Sequence, residues 1–307
     1  MPDAKVLVTG AAGLIGRHVV NALTQRGGVE IHAATRSLAH ETKNGEIRWH
    51  KVDLLDHRQR IQLLDSAEPQ TIIHCAWVTD HGAYWTAPEN LDWTAATIAL
   101  AREGHERGAK RFVGVGTCAE YAWGGAEPLS EATTPLEPKT LYGVSKDATR
   151  RVLEAYSQTS DLSFAWARVA MLYGAGEFEN RFVASLARAL VRGEPAMMSS
   201  GKLTRDFLDA RDVGAAIAAV AMSPVTGAVN IGSGQPTTLL QVGETLARLA
   251  GHPDLLKPGA LSDRPNEPAS LVMDVARLTG EASFRPCITL EQGLADALAH
   301  WRAEARV

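Results

Sequence analysis

Short apolar runs alternate along the first half of the chain with longer stretches in which apolar residues return every third or fourth position. The runs predict strands at 5–9, 29–35, 47–52, 71–75, 111–116 and 162–169, and the stretches between them predict helices near 14–26, 57–66, 88–108 and 141–159. Strand alternating with helix marks a doubly wound parallel α/β sheet. From about Tyr173 the rhythm changes: Gly174 to Asn180 reads as a loop and Arg181 to Arg192 as a helix, and a strand and an alanine-rich helix around 206–233 precede a second departure. The pattern therefore predicts a large domain of 1–172 plus about 206–233, and a smaller, discontinuous α+β domain of about 173–205 plus 234–307.

The first strand runs into Gly10-Ala11-Ala12-Gly13-Leu14-Ile15-Gly16, three glycines spaced by two residues each, followed by the helical periodicity that starts at Arg17. Strand before and helix after make this a dinucleotide fingerprint. Gly10 permits the tight turn, Gly13 lets the backbone approach a pyrophosphate, and Gly16 lets the helix pack on its strand, leaving the phosphates at the helix N-terminus. Ala12, Leu14 and Ile15 complete the set of candidate contacts. Tyr142 and Lys146, four residues apart on a predicted helix, share one face. An ammonium held beside a phenol favours the phenolate and draws its pKa toward the working range of a general acid or base.

With these residues in order, the chain resembles the extended short-chain dehydrogenase/reductase family of nucleotide-sugar epimerases, dehydratases and ketoreductases. The resemblance also takes in Thr117, Glu131 to Pro135, Arg205-Asp206-Phe207, Asp212-Val213, Asn230 to Gly234, and a last helix from Leu290 past Trp301. It implies that Thr117 hydrogen-bonds the reacting oxygen, that Tyr142 is the acid/base, and that Lys146 also holds the nicotinamide ribose. In 4,6-dehydratases of the family an Asp and a Glu follow the Thr, whereas Cys118 and Ala119 stand here, with Glu120 one position further on. Dehydration is disfavoured, and hydride transfer at a single carbon needs nothing beyond the triad.

For the cofactor, NAD-binding members place Asp where this chain has Thr35. Thr35 and Arg36 remove that repulsion and offer a guanidinium to a 2′-phosphate, so NADP(H) is preferred and NAD(H) possible. Arg17 is open to two readings, a helper of the phosphate or a solvated first-turn charge. Asp53 and Leu54 fall where the family contacts adenine, although an ordinary strand-ending Asp reads equally well. Cys75, Ala76 and Trp77 follow the fourth strand on the nicotinamide side, while His74, His81 and Trp85 read as pocket-lining or packed side chains rather than a catalytic histidine. Arg205 and Arg264, the latter in Asp263-Arg264-Pro265-Asn266-Glu267, resemble diphosphate-binding arginines, and Asn180 a nucleotide contact. Met171 stands where many members carry Asn.

The composition agrees with an enzyme of this kind. The chain has 307 residues, 45% of them hydrophobic, and a net charge of −4 with no basic tract, which argues against nucleic acid and anionic membranes as partners. Cys75, Cys118 and Cys287 have neither zinc-site nor disulfide spacing. A strand beginning by residue 5 leaves no room for a signal peptide, and a cytoplasmic location is expected. The resemblance further implies a homodimer, with helices 88–108 and 141–159 pairing across a two-fold axis. The function expected is an NADP(H)-dependent 4-ketoreductase of a nucleoside diphosphate-linked 4-keto-6-deoxy sugar. A nucleotide-sugar 4-epimerase is the alternative, followed by a reductase of a non-nucleotide carbonyl compound and a non-catalytic NADP(H)-sensing protein.

Overall fold

The computed structural model describes residues 4–37, 47–80, 82–124, 128–265 and 267–305. Its first half alternates as expected: β1 (Ala4–Thr9), α1 (Gly16–Arg26), β2 (Val29–Thr35), β3 (Ile47–Lys51), α2 (His57–Ala67), β4 (Thr71–His74), α3 (Glu89–Glu106), β5 (Arg111–Thr117), α4 (Leu141–Gln158) and β6 (Ser163–Val169). The chain then forms β7 (Met171–Tyr173), α5 (Phe182–Val191), β8 (Ala196–Met197), β9 (Thr204–Asp209), α6 (Ala210–Ala221) and β10 (Gly227–Ile231). It closes with β11 (Pro236–Thr238), α7 (Leu239–Ala250), β12 (Leu256–Lys257), β13 (Ser270–Leu271), α8 (Ala276–Gly280) and α9 (Leu290–Glu304).

Seven strands in the order β10-β6-β5-β4-β1-β2-β3 make one parallel sheet, the doubly wound Rossmann arrangement that the alternation predicts. Its central strands read as unbroken apolar runs because helices cover both faces. On one face α1 and α6 seal a core containing Val6, Val8, Val19, Val113, Val213 and Ile217; on the other, Leu7, Ile72, Leu100, Phe112, Leu153 and Trp166 pack together. Trp166 lies over Gly114 and Gly116, where any side chain would collide with its indole, so the Gly-Val-Gly of β5 is what admits the ring.

The smaller part has its own core, in which α5, α7 and α9 bring Leu186, Leu190, Val242, Leu246, Leu294 and Leu298 together. Beside it stands a sheet of β11, β9 and β13, with β7 also paired to β9. The strand expected from 206 thus joins the small sheet, and the return to the large sheet is made by α6 and β10. Asp206 explains where β9 sits: its buried carboxylate accepts the backbone N–H groups of Ser233, Gly234 and Met273, which tie it to the crossing segments. No helix among the described residues is long and apolar enough to cross a membrane.

The approach of α1 to α6 rests on one missing side chain, since a Cβ at Gly214 would lie 2.5 Å from the His18 carbonyl carbon. Backbone cannot yield as a flexible side chain would. Gly214→Ala is expected to lower stability by about 1–3 kcal/mol in urea unfolding. An unchanged midpoint would show that the two helices can separate without loss.

Candidate active site

The carboxyl ends of β1, β2, β4 and β5 share one edge, where Thr9 aligns with Ala34 and His74, and His74 with Gly114. The segments that follow these strands therefore converge there. Gly10 has φ 65°, and a Cβ on it would meet the Ala76 nitrogen at 2.7 Å; one on Gly16 would collide with the Gly10 carbonyl. Such a turn brings bare backbone to the edge. Ile15 caps α1 without a side-chain hydrogen bond, and the first turn is closed by backbone alone, Arg17 N donating to the Gly13 carbonyl at 3.1 Å and His18 N to the Ile15 carbonyl at 3.0 Å, so the positive end of the helix is left uncovered by a capping side chain and suits a pyrophosphate. The chain fits a dinucleotide at this point.

The flanking residues are placed as follows. Ala12 and Gly13 are exposed, Leu14 half-buried and Leu54 buried. At the end of β2, Thr35 is half-buried and accepts from Ser37 N at 3.4 Å, while Arg36 is exposed. Asp53 is exposed and accepts from Leu55 N at 3.0 Å. Arg17 follows neither sequence reading: burial lowers its pKa and its guanidinium donates to the Ala175 carbonyl, bridging α1 to the loop before α5.

Thr117 ends β5 and starts a tight turn in which its hydroxyl accepts from Ala119 N at 3.2 Å and its own N–H donates to Glu120 Oε1 at 2.9 Å. α4 begins against that turn, because a Cβ at Gly143 would lie only 2.7 Å from the Ala119 carbonyl oxygen, and Thr140 caps it by accepting from Gly143 N. Tyr142 is thereby presented half-buried, edge-on to Tyr84 and Trp85 with ring centroids 4.9 and 5.7 Å away. Burial, chiefly, and the neighbouring Tyr84 raise its pKa, partly offset by a hydrogen bond from the Thr117 hydroxyl. The ammonium expected to lower it stands elsewhere. Lys146 Nζ donates to the Val115 carbonyl at 2.8 Å and lies 3.6 Å above the centre of the Trp77 ring, against 5.9 Å for the Tyr142 ring. Burial lowers the Lys146 pKa to about 7, with Glu120 and Cys75 acting in the opposite sense.

The other titratable groups are withdrawn from this chemistry. Glu120, 0% exposed, pairs through Oε2 with Arg168 Nε at 2.7 Å and through Oε1 accepts the Trp166 indole N–H at 2.9 Å. Arg168 Nη1 in turn donates to Tyr121 Oη at 3.1 Å, and Tyr121 Oη to Asn230 Oδ1 at 2.7 Å. Burial pushes the Cys118 thiol up to about 11 and the Cys75 thiol up to about 12. Ala119 is buried. His74 bridges the hydroxyls of Thr9 and Thr97 at 2.8 and 2.9 Å, a packed and neutral ring. His81 lies outside the described residues.

On the far side, Arg205 is buried in β9, donating to the Thr204 and Pro268 carbonyls and, at 3.3 Å, to Glu267. The exposed Arg264 reaches the other oxygen of the same carboxylate at 3.5 Å. Glu267 therefore brings the two arginines together. Asn180 is exposed in the turn before α5 and makes no hydrogen bond or ion pair among the described residues. Beside it, Arg181 pairs with the buried Glu177 at 3.0 Å and donates to the Leu172 carbonyl, contacts that nothing in the local sequence announces. The Glu120–Arg168 pair did leave a trace, since an arginine inside Phe164-Ala165-Trp166-Ala167-Arg168-Val169 calls for a buried acid.

Comparison with known proteins agrees with this geometry. The family model described as NAD dependent epimerase/dehydratase family matches residues 6–232. A dTDP-glucose 4,6-dehydratase of Xanthomonas campestris pv. campestris (strain B100) is 26% identical over 94% of this chain and 90% of its own. A dTDP-6-deoxy-L-talose 4-dehydrogenase (NAD(+)) of Aggregatibacter actinomycetemcomitans is 26% identical over 82% of this chain and 92% of its own. Among solved structures, MoeE5 in complex with UDP-glucose and NAD superposes with a TM-score of 0.84 at 30% identity, covering 99% of this chain and 100% of that one.

The buried His74 makes stability depend on acid. Its pKa falls from 6.5 to about 3 on folding, mainly through burial, with Lys146 adding to the effect. Between those values the unfolded chain binds one proton more, so the contribution is whole above pH 6.5 and declines below it by about 1.4 kcal/mol per pH unit. Urea unfolding at pH 7 and pH 5 should show a loss smaller by about 2 kcal/mol in His74→Asn than in the unaltered protein. Equal losses in the two proteins would mean that His74 titrates normally in the fold.

Proposed function

Because the chain belongs to the NAD dependent epimerase/dehydratase family, we propose that it is a 4-ketoreductase of a nucleoside diphosphate-linked 4-keto-6-deoxy sugar that uses NADP(H). The bound nicotinamide supplies hydride to C4 of the sugar. Tyr142 Oη gives its proton to the C4 oxygen, and the Thr117 hydroxyl hydrogen-bonds the same oxygen as charge develops there. Lys146 supplies a nearby positive charge and a hold on the cofactor's ribose. The observation that carries the reading is the withdrawal of Glu120 into its pair with Arg168, beside a Tyr142 that burial keeps protonated. One proton can be delivered, and among the described residues the positions after Thr117 hold Cys118, Ala119 and the engaged Glu120 rather than a second acid and base to expel a hydroxyl.

The substrate class draws on the relatives' names and on Arg205 and Arg264, which share Glu267, a carboxylate that a diphosphate would replace, with Asn180 as a further contact. Preference for the 2′-phosphate rests on exposed Arg36 and on Thr35 in place of an acid. A homodimer across α3 and α4 is favoured by the exposed Leu91, Val144 and Val152 on those helices. A 4-epimerase is the second reading, favoured by the likeness to MoeE5, a complex with UDP-glucose and NAD.

Absorbance at ~340 nm followed beside product chromatography separates the two, since a reductase oxidises one NADPH per keto sugar converted. Epimer formation with only catalytic cofactor and no net oxidation would install the epimerase. Tyr142→Phe should lower kcat by about 10²–10⁴ with cofactor affinity retained. Near-normal turnover in that variant would remove Tyr142 from the reaction.

The cofactor assignment has its own test. Calorimetric titration should give tighter binding of NADPH than of NADH, with Arg36→Ala narrowing the gap by about 1.5–3 kcal/mol. Equal affinities in the unaltered protein would sink the NADP(H) preference.

A further inference from the structure

We propose that Trp77 is a positioning residue for the reaction: its indole face carries the Lys146 ammonium, and Asn90 holds the indole in place. The inference rests on the reading in which Lys146 serves the chemistry. Lys146 is 4% exposed, and the one hydrogen bond of its ammonium among the described residues goes to the Val115 carbonyl. No carboxylate lies within ion-pair distance of it among those residues, because Glu120 is engaged by Thr117 N, Trp166 and Arg168. A buried cation without a contacting counter-ion is costly; Glu120 helps from beyond ion-pair distance and the Trp166 ring stands 5.9 Å off, so the nearest aromatic face is the closest stabilising contact beside the Val115 carbonyl. The Trp77 ring lies 3.6 Å away, well inside the range of such an interaction.

The indole is not free to turn. Its Nε1–H donates to Asn90 Oδ1 at 2.8 Å, and the fully buried Asn90 sends its amide N–H groups to the Tyr84 and Ala87 carbonyls, each at 2.8 Å. The same loop supplies Tyr84 and Trp85, whose rings meet Tyr142 edge-on, and the Trp85 carbonyl accepts from Tyr142 N at 3.1 Å. One buried amide thus fixes the support under Lys146 and the walls around Tyr142. Sequence distance hides this arrangement, since α3 and β5 run between Trp77 and the helix that carries Lys146.

The groups that face the ammonium are Glu120 from the turn after β5, His74 and Cys75 from the end of β4, and Tyr142 one turn earlier on its own helix. His74 and the Cys75 thiol stay neutral near pH 7, pushed by burial to about 3 and about 12. Burial draws Lys146 toward deprotonation, and the indole works against it. Removing the ring should therefore lower the midpoint at which Lys146 loses its proton, and the alkaline loss of activity should move to lower pH with it.

The test is a carbon-13 NMR titration of lysine labelled at Cε in the cofactor-free protein, with the Lys146 signal identified by its loss in Lys146→Met. In Trp77→Leu the midpoint should fall by about one pH unit, a tenfold change in the protonation equilibrium. Trp77→Phe keeps a ring face and should recover most of that shift. An unmoved midpoint in Trp77→Leu, or a Phe variant displaced as far as the Leu variant, overturns the inference. Should Trp77→Leu fail to fold, stepwise fluorination of Trp77 alone by stop-codon suppression keeps the shape while thinning the π cloud. The midpoint should then fall with each fluorine, and a flat series overturns the inference. Alkaline limbs of kcat that follow the NMR midpoints support the positioning role. A moved midpoint with an unmoved limb overturns that role and, separately, the assignment of Lys146 to the reaction.

Discussion

The ion pair of Glu120 and Arg168 is the contact on which the rest of the site depends. Two charges taken fully out of water are tolerated only when nearly every lone pair and N–H finds a partner, and breaking such a pair costs about 3–5 kcal/mol. Glu120 meets that condition with Arg168, the Trp166 indole and the Thr117 N–H. Meeting it requires the chain to turn sharply after β5, which holds the Thr117 side chain at the sheet edge. Trp166 can reach Glu120 only because Gly114 and Gly116 leave the face of β5 bare. An acid whose position near the Thr invites a catalytic reading thus serves to place its neighbour.

The same division between chemistry and support runs through the other segments that carry the family resemblance. Glu131 accepts the Asn230 N–H at 2.7 Å, Asp206 gathers the backbone after β10, and Asp212 accepts from Cys287 N and Ile288 N at 3.1 and 2.9 Å. Each fastens a loop or terminal segment to an element distant from it in sequence. Resemblance locates these residues, but only their bonds tell that they are fasteners.

How much of this was legible in the sequence follows from the range of each interaction. The strands of the large sheet could be read because helices bury both faces, which makes the apolar runs unbroken, and the turn at Gly10 could be read because its constraint is local. The membership of β9 in the small sheet could not, since the register that places Thr204–Asp209 there is set by partners at 236–238 and 270–271. The four-residue spacing of Tyr142 and Lys146 put both on one face correctly, yet it could not say what else lay there. Trp77 comes from another strand's end, and it, not the phenol, is nearer the ammonium. Arg17 shows the same limit: a first-turn arginine reads as phosphate ligand or solvated charge, and a loop carbonyl from a distant part of the chain takes it instead.

These distances bear on how the proton is held. A phenol whose pKa is raised by burial keeps its proton at neutral pH, so Tyr142 rests in its acid form, whereas oxidation of an alcohol needs the phenolate. Lys146, resting on Trp77 rather than against Tyr142, does little to favour that phenolate in the arrangement seen here. The raised pKa holds the phenol in the form that donates but also makes it the weaker acid, so burial alone does not speed the proton transfer. An ammonium nearer the phenol than the 5.9 Å that separates Lys146 Nζ from the Tyr142 ring centroid would favour the phenolate and ease the transfer in either direction, because both directions pass through one transition state.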